Sequence, residues 1–344
     1  MMFTRESFRA LEFRNDALVL LDQRLLPSRL VYIECRSVRD VFLAIQDMAV
    51  RGAPAIGGAA GYGVYFALLE SAGDAAAFSR ACDYLITSRP TAVNLKWAVE
   101  RVRKTALDSE LDPQAVLEEA HSIVREDLEM NYRIAEAGCE VIRPGAAVLT
   151  HCNTGALATC GWGTALGVIK AAWQKGGNIF VYADETRPRL QGARLTAWEL
   201  KEAGIPSKLI PDSAAATLIR DGKIDCVILG ADRIAANGDF ANKIGTFALS
   251  VICRHYGVPF YSAAPTSTID FDTPDGSGIM IEERDADEVR MIDGIRIAPE
   301  GFDVYNPSFD VTPHQNLTGI ITECGIIREP YDVNLARLRT QLGR

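Results

Sequence analysis

From residue 146 onward, short apolar runs of strand type alternate with helical segments. The apolar runs occupy residues 146–150, 178–183, 208–210, 226–231 and 258–263. The helical segments between them cover residues 163–175, 190–203, 213–221 and 242–256. Strands that are apolar throughout are buried on both faces, and their alternation with helices is typical of βαβ units. The pattern therefore predicts a Rossmann-like, mostly parallel-sheet domain over residues 131–344.

The first part of the chain has a different pattern. Short apolar runs separated by turn residues, within residues 11–34, predict a small antiparallel meander. Apolar residues at helical spacing then predict helices over residues 38–49, 55–69, 75–86, 91–102 and 113–142. We therefore expect an α/β protein whose N-terminal domain, residues 1–130, combines a β-meander with helices.

Composition narrows the class of protein. The chain has 344 residues, a formal net charge of −9 and 48% hydrophobic residues. An acidic balance argues against a nucleic-acid or acidic-membrane partner. No apolar run approaches the ~20 residues of a membrane span, and the first residues lack the apolar core of a signal peptide, so we expect a cytoplasmic protein.

The cysteines and histidines are scattered. The eight cysteines form no C-x-x-C pair, and the four histidines show no metal-binding spacing. Neither a disulfide scaffold nor a metal is therefore expected. Six of the cysteines, Cys324 among them, are expected to be buried free thiols, since free cysteine packs as a small hydrophobic residue.

Two strand ends carry residues suited to catalysis. Cys160 lies in the small-residue loop after the run 146–150, and Asp232 directly follows the run 226–231. If these strands are neighbours, both side chains face one pocket, as in other open α/β sheets. The loop setting allows Cys160 to be exposed, and a helix amino end just beyond it would lower the thiol pKa, although a structural cysteine is the alternative. Asp232 is either desolvated for proton transfer or hydrogen-bonded to hold a loop.

Two corners in the N-terminal half suit a phosphate group. Arg51-Gly52-Ala53-Pro54 places an arginine before a glycine turn and a proline-begun helix, and Arg89-Pro90 repeats the arrangement. A guanidinium beside the free N–H groups of a helix start favours bound negative charge. An ordinary helix start beside a surface arginine gives the same pattern.

The C-terminal half adds further polar residues near strand ends. Asn242 and Lys243 are expected to open a helix, with Lys243 directed at the strand ends, and Gln191 to hydrogen-bond a sugar hydroxyl. The string from Gly161 to Gly167 resembles a dinucleotide-binding turn, but it lies too far beyond its strand, so no nicotinamide cofactor is expected. The acidic stretch 269–293 is either a solvated excursion or a substrate-covering flap.

Six blocks of sequence occur in order along the chain. They are RGAPAIG from Arg51, RPTAVNL from Arg89, HCNTG…ATCGWGTA from His151, DETRPRLQG from Asp184, GADRIAANGD…ANKIGT from Gly230 and NPSFDVTP from Asn306. Together they resemble the 5-methylthioribose-1-phosphate isomerase family, the aldose–ketose isomerases of methionine salvage. That family shares its fold with regulatory initiation-factor 2B subunits, and the resemblance spans residues 51–325.

The resemblance implies roles for particular residues. Cys160 and Asp232 would be the catalytic pair. The residues implied to contact the sugar phosphate are Arg51, Gly52, Ala53, Arg89, Gln191, Asn242 and Lys243. The resemblance further implies a homodimer with no metal or nucleotide cofactor.

Other functions stay open at this point. Isomerases of 5-deoxyribose 1-phosphate and ribose 1,5-bisphosphate differ in the group on C5, where Trp162 and Tyr62 are candidates for an apolar wall. A non-catalytic initiation-factor 2B-like binding protein is the alternative from another class, but it needs no thiol and carboxyl together. In the isomerase, Asp232 would protonate the ring oxygen and Cys160 would act at C2, through a cis-enediol or a hydride shift.

Overall fold

The computed structural model describes residues 7–90 and 92–344. Their contacts divide the chain into two compact units. The N-terminal unit holds the described residues up to 131 together with 154–163, and the C-terminal unit holds residues 132–153 and 164–344. The sequence predicted a single division at residues 130/131. The structure instead returns residues 154–163 to the N-terminal unit, because their contacts are made there.

The N-terminal unit consists of a meander and helices, as predicted. Its strands pair antiparallel in the order β1-β2-β3. They are β1 (Leu11–Arg14), β2 (Ala17–Leu21) and β3 (Tyr32–Cys35). The helices are α1 (Val38–Gln46), α2 (Ala53–Ser71), α3 (Ala75–Ile86), α4 (Val93–Asp108) and α5 (Pro113–Gly138), the last of which continues into the C-terminal unit. Helix α4 begins at Val93 and not at Pro90 as predicted, and Thr91 lies outside the described residues.

A seven-stranded sheet forms the centre of the C-terminal unit. Its strands are β4 (Ala147–Thr150), β5 (Phe180–Asp184), β6 (Ser207–Ile210), β7 (Cys226–Leu229), β10 (Phe260–Ala263), β15 (Gly319–Thr322) and β16 (Gly325–Ile327). They lie in the order β16-β15-β10-β7-β4-β5-β6, and all pairs are parallel except β15 with β16. Without β16 this is the strand order of a doubly wound Rossmann sheet. The predicted fold class is confirmed.

A second sheet has the order β11-β8-β9-β14. It is built from β8 (Arg233–Ala235), β9 (Phe240–Lys243), β11 (Ile269–Asp270) and β14 (Phe309–Thr312), and a separate hairpin pairs β12 (Met291–Ile292) with β13 (Ile295–Arg296). The helices of this unit are α6 (Ala165–Gln174), α7 (Ala197–Glu202), α8 (Ala214–Arg220), α9 (Thr246–Tyr256), α10 (Asp287–Arg290) and α11 (Tyr331–Gln341).

Three sequence predictions need correction here. Asn242 and Lys243 lie on strand β9 and not at a helix start, because β9 pairs with β14 and α9 begins only at Thr246. Residues 190–203 are not one α-helix, since a π-helix, Gly192–Thr196, precedes α7. Cys324 is exposed, because it lies in the turn between β15 and β16, while the other seven free cysteines are buried.

None of the described helices combines the length and the apolar character that crossing a membrane requires.

Candidate functional site

Residues 154–163, here called the Cys160 segment, form a closed loop. Its two ends meet in an antiparallel bridge between Gly155 and Gly163. Gly163 has a φ of +91°, and a Cβ atom there would lie 2.4 Å from the Gly155 Cα atom. Only glycine fits such an approach, so these glycines of the sequence block close the loop.

The N-terminal unit holds this loop at several points. The Gln23 side-chain amide donates a hydrogen bond of 2.7 Å to the Leu157 carbonyl oxygen. Gly52, with a φ of +91°, lies so close to Ala158 that a Cβ atom would be 2.2 Å from the Ala158 carbonyl oxygen. The Arg51–Pro54 corner, predicted to bind phosphate, therefore packs directly against the segment that carries Cys160.

The Cys160 side chain lies on the first turns of α2. It is 3% exposed, and its Sγ atom is 3.6 Å from the Pro54 carbonyl oxygen. A Cβ atom on Gly58 would be 2.6 Å from this sulfur. The glycine in α2 therefore makes the room that the thiol occupies.

A buried carboxyl from α5 holds the Cys160 backbone. Asp127 Oδ2 accepts hydrogen bonds from the Cys160 backbone N–H at 2.7 Å and from the Asn131 side-chain amide at 2.9 Å. Asp127 is 6% exposed and Asn131 1%. Sequence reasoning missed both residues. The signal was present, since they follow Ile123 at spacings of four along the buried face of α5, where apolar residues are expected.

The surroundings of Cys160 reverse the predicted thiol chemistry. Burial raises the pKa of the Cys160 thiol well above its ordinary value, and the charge and hydrogen bonding of Asp127 raise it further. The expectation of an exposed thiol with a lowered pKa was wrong. The small-residue loop is not open to solvent, because α2 and α5 cover it.

Other predicted residues of the N-terminal unit lie on these same elements. Arg51 and Arg89 are both partly buried, and Arg89 precedes α4, whose Asn94 packs against Gly57 of α2. Tyr62 on α2 is 2% exposed, and its hydroxyl lies 2.9 Å from His121 Nδ1. Trp162 is also 2% exposed. The two residues that were candidates for an apolar wall at C5 of the sugar, Tyr62 and Trp162, are therefore both buried side chains.

In the C-terminal unit, strands β4 and β7 are neighbours. They pair in parallel with Val148 opposite Cys226, which confirms the adjacency that the sequence argument assumed. Asp232 follows β7, and its backbone N–H donates to the Ala241 carbonyl oxygen at 2.9 Å. The Asp232 side chain is exposed. Of the two predicted settings, the one in which the carboxyl is desolvated for proton transfer is therefore wrong. The carboxyl lies near the point where the strand order reverses, the usual ligand position in such sheets.

His151, at the end of β4, is a further buried group that sequence reasoning did not select. Its Nδ1 lies 2.9 Å from Asp184 Oδ2, and its Nε2 lies 2.9 Å from the Ile244 carbonyl oxygen. A carbonyl only accepts, so Nε2 carries a proton and a second proton is shared with Asp184. Burial alone would lower the pKa of His151, but the hydrogen bond and charge of Asp184 outweigh it and raise the pKa. The position directly after a predicted strand was the available signal.

His151 fixes the turn that follows Lys243. Gly245 has a φ of +107°, and a Cβ atom there would lie 3.0 Å from His151 Cε1. Lys243 is 7% exposed, and its ammonium group donates to the Ser308 carbonyl oxygen at 2.8 Å. The Asn242 amide donates to Thr246 Oγ1 at 3.0 Å. The predicted substrate contacts Asn242 and Lys243 therefore lie at the buried, hydrogen-bonded end of β9, directly before this turn.

Gln191 lies in a segment with several ion pairs. Arg189 pairs with Glu288 at 2.7 Å, and Arg194 pairs with Asp293. These pairs attach residues 288–293 of the acidic stretch to residues 189–194. Gln191 Oε1 is buried and accepts no hydrogen bond from any described residue. This oxygen fits the predicted bond to a ligand hydroxyl.

The side chains of His151, Asp184 and Asp212 place ligand-type atoms within 4.8 Å of one another. Protein groups already use most of those atoms. Both Asp212 oxygens accept backbone N–H groups, from Thr186 and Arg187 at 2.7 Å each, and both His151 nitrogens are bonded as described. The donor set therefore fits an internal proton-sharing network better than a metal ion.

The buried carboxyl of Asp127 makes folding stability depend on pH. Burial raises its pKa from 3.8 to about 6 in the folded protein, so the folded state holds this proton more tightly. The resulting stabilisation is fully present below pH ~4 and is lost as the pH rises through about 6, roughly 3 kcal/mol in all. We compare the free energy of unfolding of Asp127→Asn with that of the parent protein. The difference should shift in favour of Asp127→Asn by up to that amount when the pH rises from 4 to 7.5. Urea unfolding at both pH values measures it, and a pH-independent difference would contradict the raised pKa.

Comparisons with known proteins agree over nearly the whole chain. Residues 49–329 match the model of the initiation factor 2 subunit family. A methylthioribose-1-phosphate isomerase from Caldanaerobacter subterraneus is 59% identical, covering 97% of this chain and 100% of that protein. A 5-methylthioribose 1-phosphate isomerase structure from Pyrococcus horikoshii superimposes with a TM-score of 0.93 at 43% identity, covering 98% of this chain and 99% of that one.

A second solved structure is also similar. It is described as the delta subunit of translation initiation factor eIF-2B from A. fulgidus, and it has a TM-score of 0.90 and 43% identity over 97% of this chain and 100% of that one. The sequence blocks, the fold and these matches agree with one another. The chain belongs to the initiation factor 2 subunit family and, within it, to the methylthioribose-1-phosphate isomerases.

Proposed function

We propose that the chain is an aldose–ketose isomerase, an intramolecular oxidoreductase of methionine salvage. It converts 5-methylthio-α-D-ribose 1-phosphate to 5-methylthio-D-ribulose 1-phosphate. The observation that carries the proposal is the 59% identity to a methylthioribose-1-phosphate isomerase over 97% of this chain. The buried setting of Cys160 in the N-terminal unit and the position of Asp232 directly after β7 in the C-terminal unit each support it.

The N-terminus of α2 supports phosphate binding by Arg51, Gly52 and Ala53. Gly52 caps the helix without a side-chain hydrogen bond, and the first N–H groups of a helix have no acceptor within it. These N–H groups and the helix dipole favour a bound anion. We propose that Arg51 and Arg89 supply the compensating charge, and that the Cys160 segment lies beside the phosphate because Gly52 packs on it.

We propose that Gln191, Asn242 and Lys243 orient the remaining part of the sugar. Two buried oxygen atoms support this, Gln191 Oε1 and Ser308 Oγ, since neither has a hydrogen-bond partner among the described residues. Ser308 is also the residue whose carbonyl oxygen accepts the hydrogen bond from the Lys243 ammonium group. Buried polar atoms are normally hydrogen-bonded, so such atoms near ligand residues indicate a bond made to substrate. Orientation of this kind contributes to rate by positioning reacting groups.

The chemistry explains why a carboxyl and a thiol are needed. A sugar phosphorylated on C1 cannot open its ring as a free hemiacetal does, so the ring oxygen must receive a proton while the C1–O bond breaks. We assign this proton to Asp232. Hydrogen must then move from C2 to C1, and we assign Cys160 to the C2 side.

Two routes for this hydrogen remain, and the state of Cys160 favours one. Removal of the C2 proton to give a cis-enediol requires Cys160 as a thiolate. A hydride shift from C2 to C1 requires no base at C2–H. Asp232, having given up its proton, can take the C2 hydroxyl proton, and the neutral Cys160 thiol assists the shift near the C2 hydroxyl. Because burial raises the pKa of the Cys160 thiol, the hydride route fits the structure better.

We expect the reaction in D2O to give a product without deuterium at C1. A hydride shift carries the substrate hydrogen directly, whereas an enediol exchanges with solvent through its base. Proton NMR of the isolated ketose measures the label. Substantial deuterium at C1 would establish the enediol route and a thiolate at Cys160.

The substrate itself is tested with purified protein and three sugar phosphates. We expect kcat/KM for 5-methylthioribose 1-phosphate to exceed that for 5-deoxyribose 1-phosphate at least about 10-fold, since an apolar pocket discriminates by that order for a group of this size. Ribose 1,5-bisphosphate should be the poorest of the three. Binding of all three without ketose formation would instead support the non-catalytic binding protein.

The catalytic pair is tested by Cys160→Ser and Asp232→Asn. We expect each to lower kcat by about 10²–10⁴-fold while KM changes little, because Asp232→Asn removes the general acid and Cys160→Ser removes the group that assists the transfer at C2. Cys324→Ser, which changes the exposed cysteine, is the matched control and should retain parent activity. Near-parent turnover in either site variant would remove that residue from the mechanism.

The resemblance also leads us to propose a cytoplasmic homodimer, which sedimentation of the purified chain and cell fractionation would check.

A further inference from the structure

Helix α5 carries a charged residue on its buried face. Asp127 is 6% exposed and is followed one turn later by Asn131 at 1%. Around them the helix packs with Ile123 and Val124 in the core of the N-terminal unit. An isolated carboxylate in such surroundings is strongly disfavoured unless it is hydrogen-bonded. The hydrogen bonds of Asp127 must therefore compensate for the burial of its carboxyl.

Those contacts converge on Cys160. Asp127 Oδ2 accepts the Cys160 N–H at 2.7 Å and the Asn131 amide at 2.9 Å. The cysteine backbone is thus held from the α5 side. From the α2 side, the Pro54 carbonyl oxygen lies 3.6 Å from Sγ, and Gly58, which has no side chain, leaves the space that the thiol occupies.

The groups that act electrostatically on the thiol favour its neutral form. Burial and the charge and hydrogen bond of Asp127 raise the pKa of the thiol, and they outweigh the hydrogen bond to the Gly58 backbone, which lowers it. A carbonyl oxygen beside Sγ accepts an S–H donor and repels a thiolate. Reactive thiolates in proteins have the opposite setting, beside a cation or a helix amino end that is directed at the sulfur.

We propose that Asp127 is a positioning residue for Cys160: its carboxylate fixes the cysteine backbone and its charge keeps the side chain a neutral thiol. The consequence for turnover rests on the proposed isomerase function, because only there does Cys160 act on substrate. The effect on the thiol itself does not depend on that function.

The variant Asp127→Asn keeps an oxygen that can accept the Cys160 N–H but removes the charge. The matched control is Glu126→Gln, which removes a charge from the neighbouring position of α5. Glu126 contacts Arg101 at 2.6 Å and 2.7 Å through both of its oxygens, and Arg101 retains Glu119 as a partner. The probe is methyl methanethiosulfonate, a small thiol reagent, with modification of the Cys160 peptide followed by mass spectrometry from pH 7 to pH 11.

In Asp127→Asn we expect the Cys160 modification rate at a fixed pH to rise at least about 10-fold, because the rate follows the thiolate fraction. Glu126→Gln should match the parent protein. An unchanged rate in folded Asp127→Asn would overturn the charge effect. A purely structural role of Asp127 would alter stability without moving this pH dependence.

A measurement on the parent protein covers the case in which Asp127→Asn does not fold. With ¹⁵N-labelled cysteine, the Cys160 amide signal is identified by its absence in Cys160→Ser. We expect its position to follow pH with a midpoint near 6, since the pKa of Asp127 is raised to about 6 by burial. A signal that does not move between pH 5 and pH 7 would overturn the proposal.

Activity separates this inference from the proposed function. In Asp127→Asn we expect kcat for 5-methylthioribose 1-phosphate to fall by about 10-fold or more, with KM within about 3-fold of the parent value. If Asp127→Asn keeps the kcat of the parent protein while its Cys160 modification rate changes, the positioning role of Asp127 in catalysis is overturned. A parent protein that is inactive while its thiol responds to Asp127→Asn would refute the isomerase function and leave the Asp127–Cys160 relation standing.

Discussion

The hydrogen bond from the Cys160 backbone to Asp127 joins two parts of the chain that are distant in sequence. It is 2.7 Å long and buried, and its acceptor lies on α5 while its donor lies in the Cys160 segment. A buried carboxylate without such donors would be costly, so the bond ties the helix and the segment to each other. Gly52 and Gln23 then fix the rest of the segment against α2 and against the connection between β2 and β3. The position of the thiol relative to the Arg51–Pro54 corner depends on this arrangement.

The C-terminal unit uses a comparable device around His151. One imidazole connects the end of β4 to the end of β5 through Asp184 and to the turn after β9 through Ile244. A ring that carries protons on both nitrogens donates a hydrogen bond to each oxygen. A neutral ring keeps both hydrogen bonds only if Asp184 is protonated and donates to Nδ1. The turn with Asn242 and Lys243 is therefore held by a proton-sharing pair in the protein interior. Hydrophobic packing alone would not fix its orientation.

The sequence predicted those features that depend on local pattern. The strand runs and the helices of the N-terminal unit were predicted to within a few residues. The adjacency of β4 and β7 was an assumption, which their pairing confirms. Asn242 and Lys243 were misassigned because their strand state comes from pairing with Asp310 and Phe309 on β14, which lie far along the chain and which no local pattern shows. The loop setting of Cys160 allowed exposure because small residues are typical of open loops. Its cover comes from α2 and α5, and tertiary contacts of that kind decide burial.

The presence of a carboxyl at position 127 is informative because an amide would serve the structural purpose. Asparagine could accept the Cys160 N–H without the desolvation that raises the pKa of Asp127 to about 6. Above that pH the charge lowers folding stability and gives no contact that an amide lacks. Packing therefore does not explain the residue, whereas an effect of the charge on the adjacent thiol does. In the isomerase mechanism proposed above, a neutral, oriented thiol suits hydrogen transfer at C2 with water excluded.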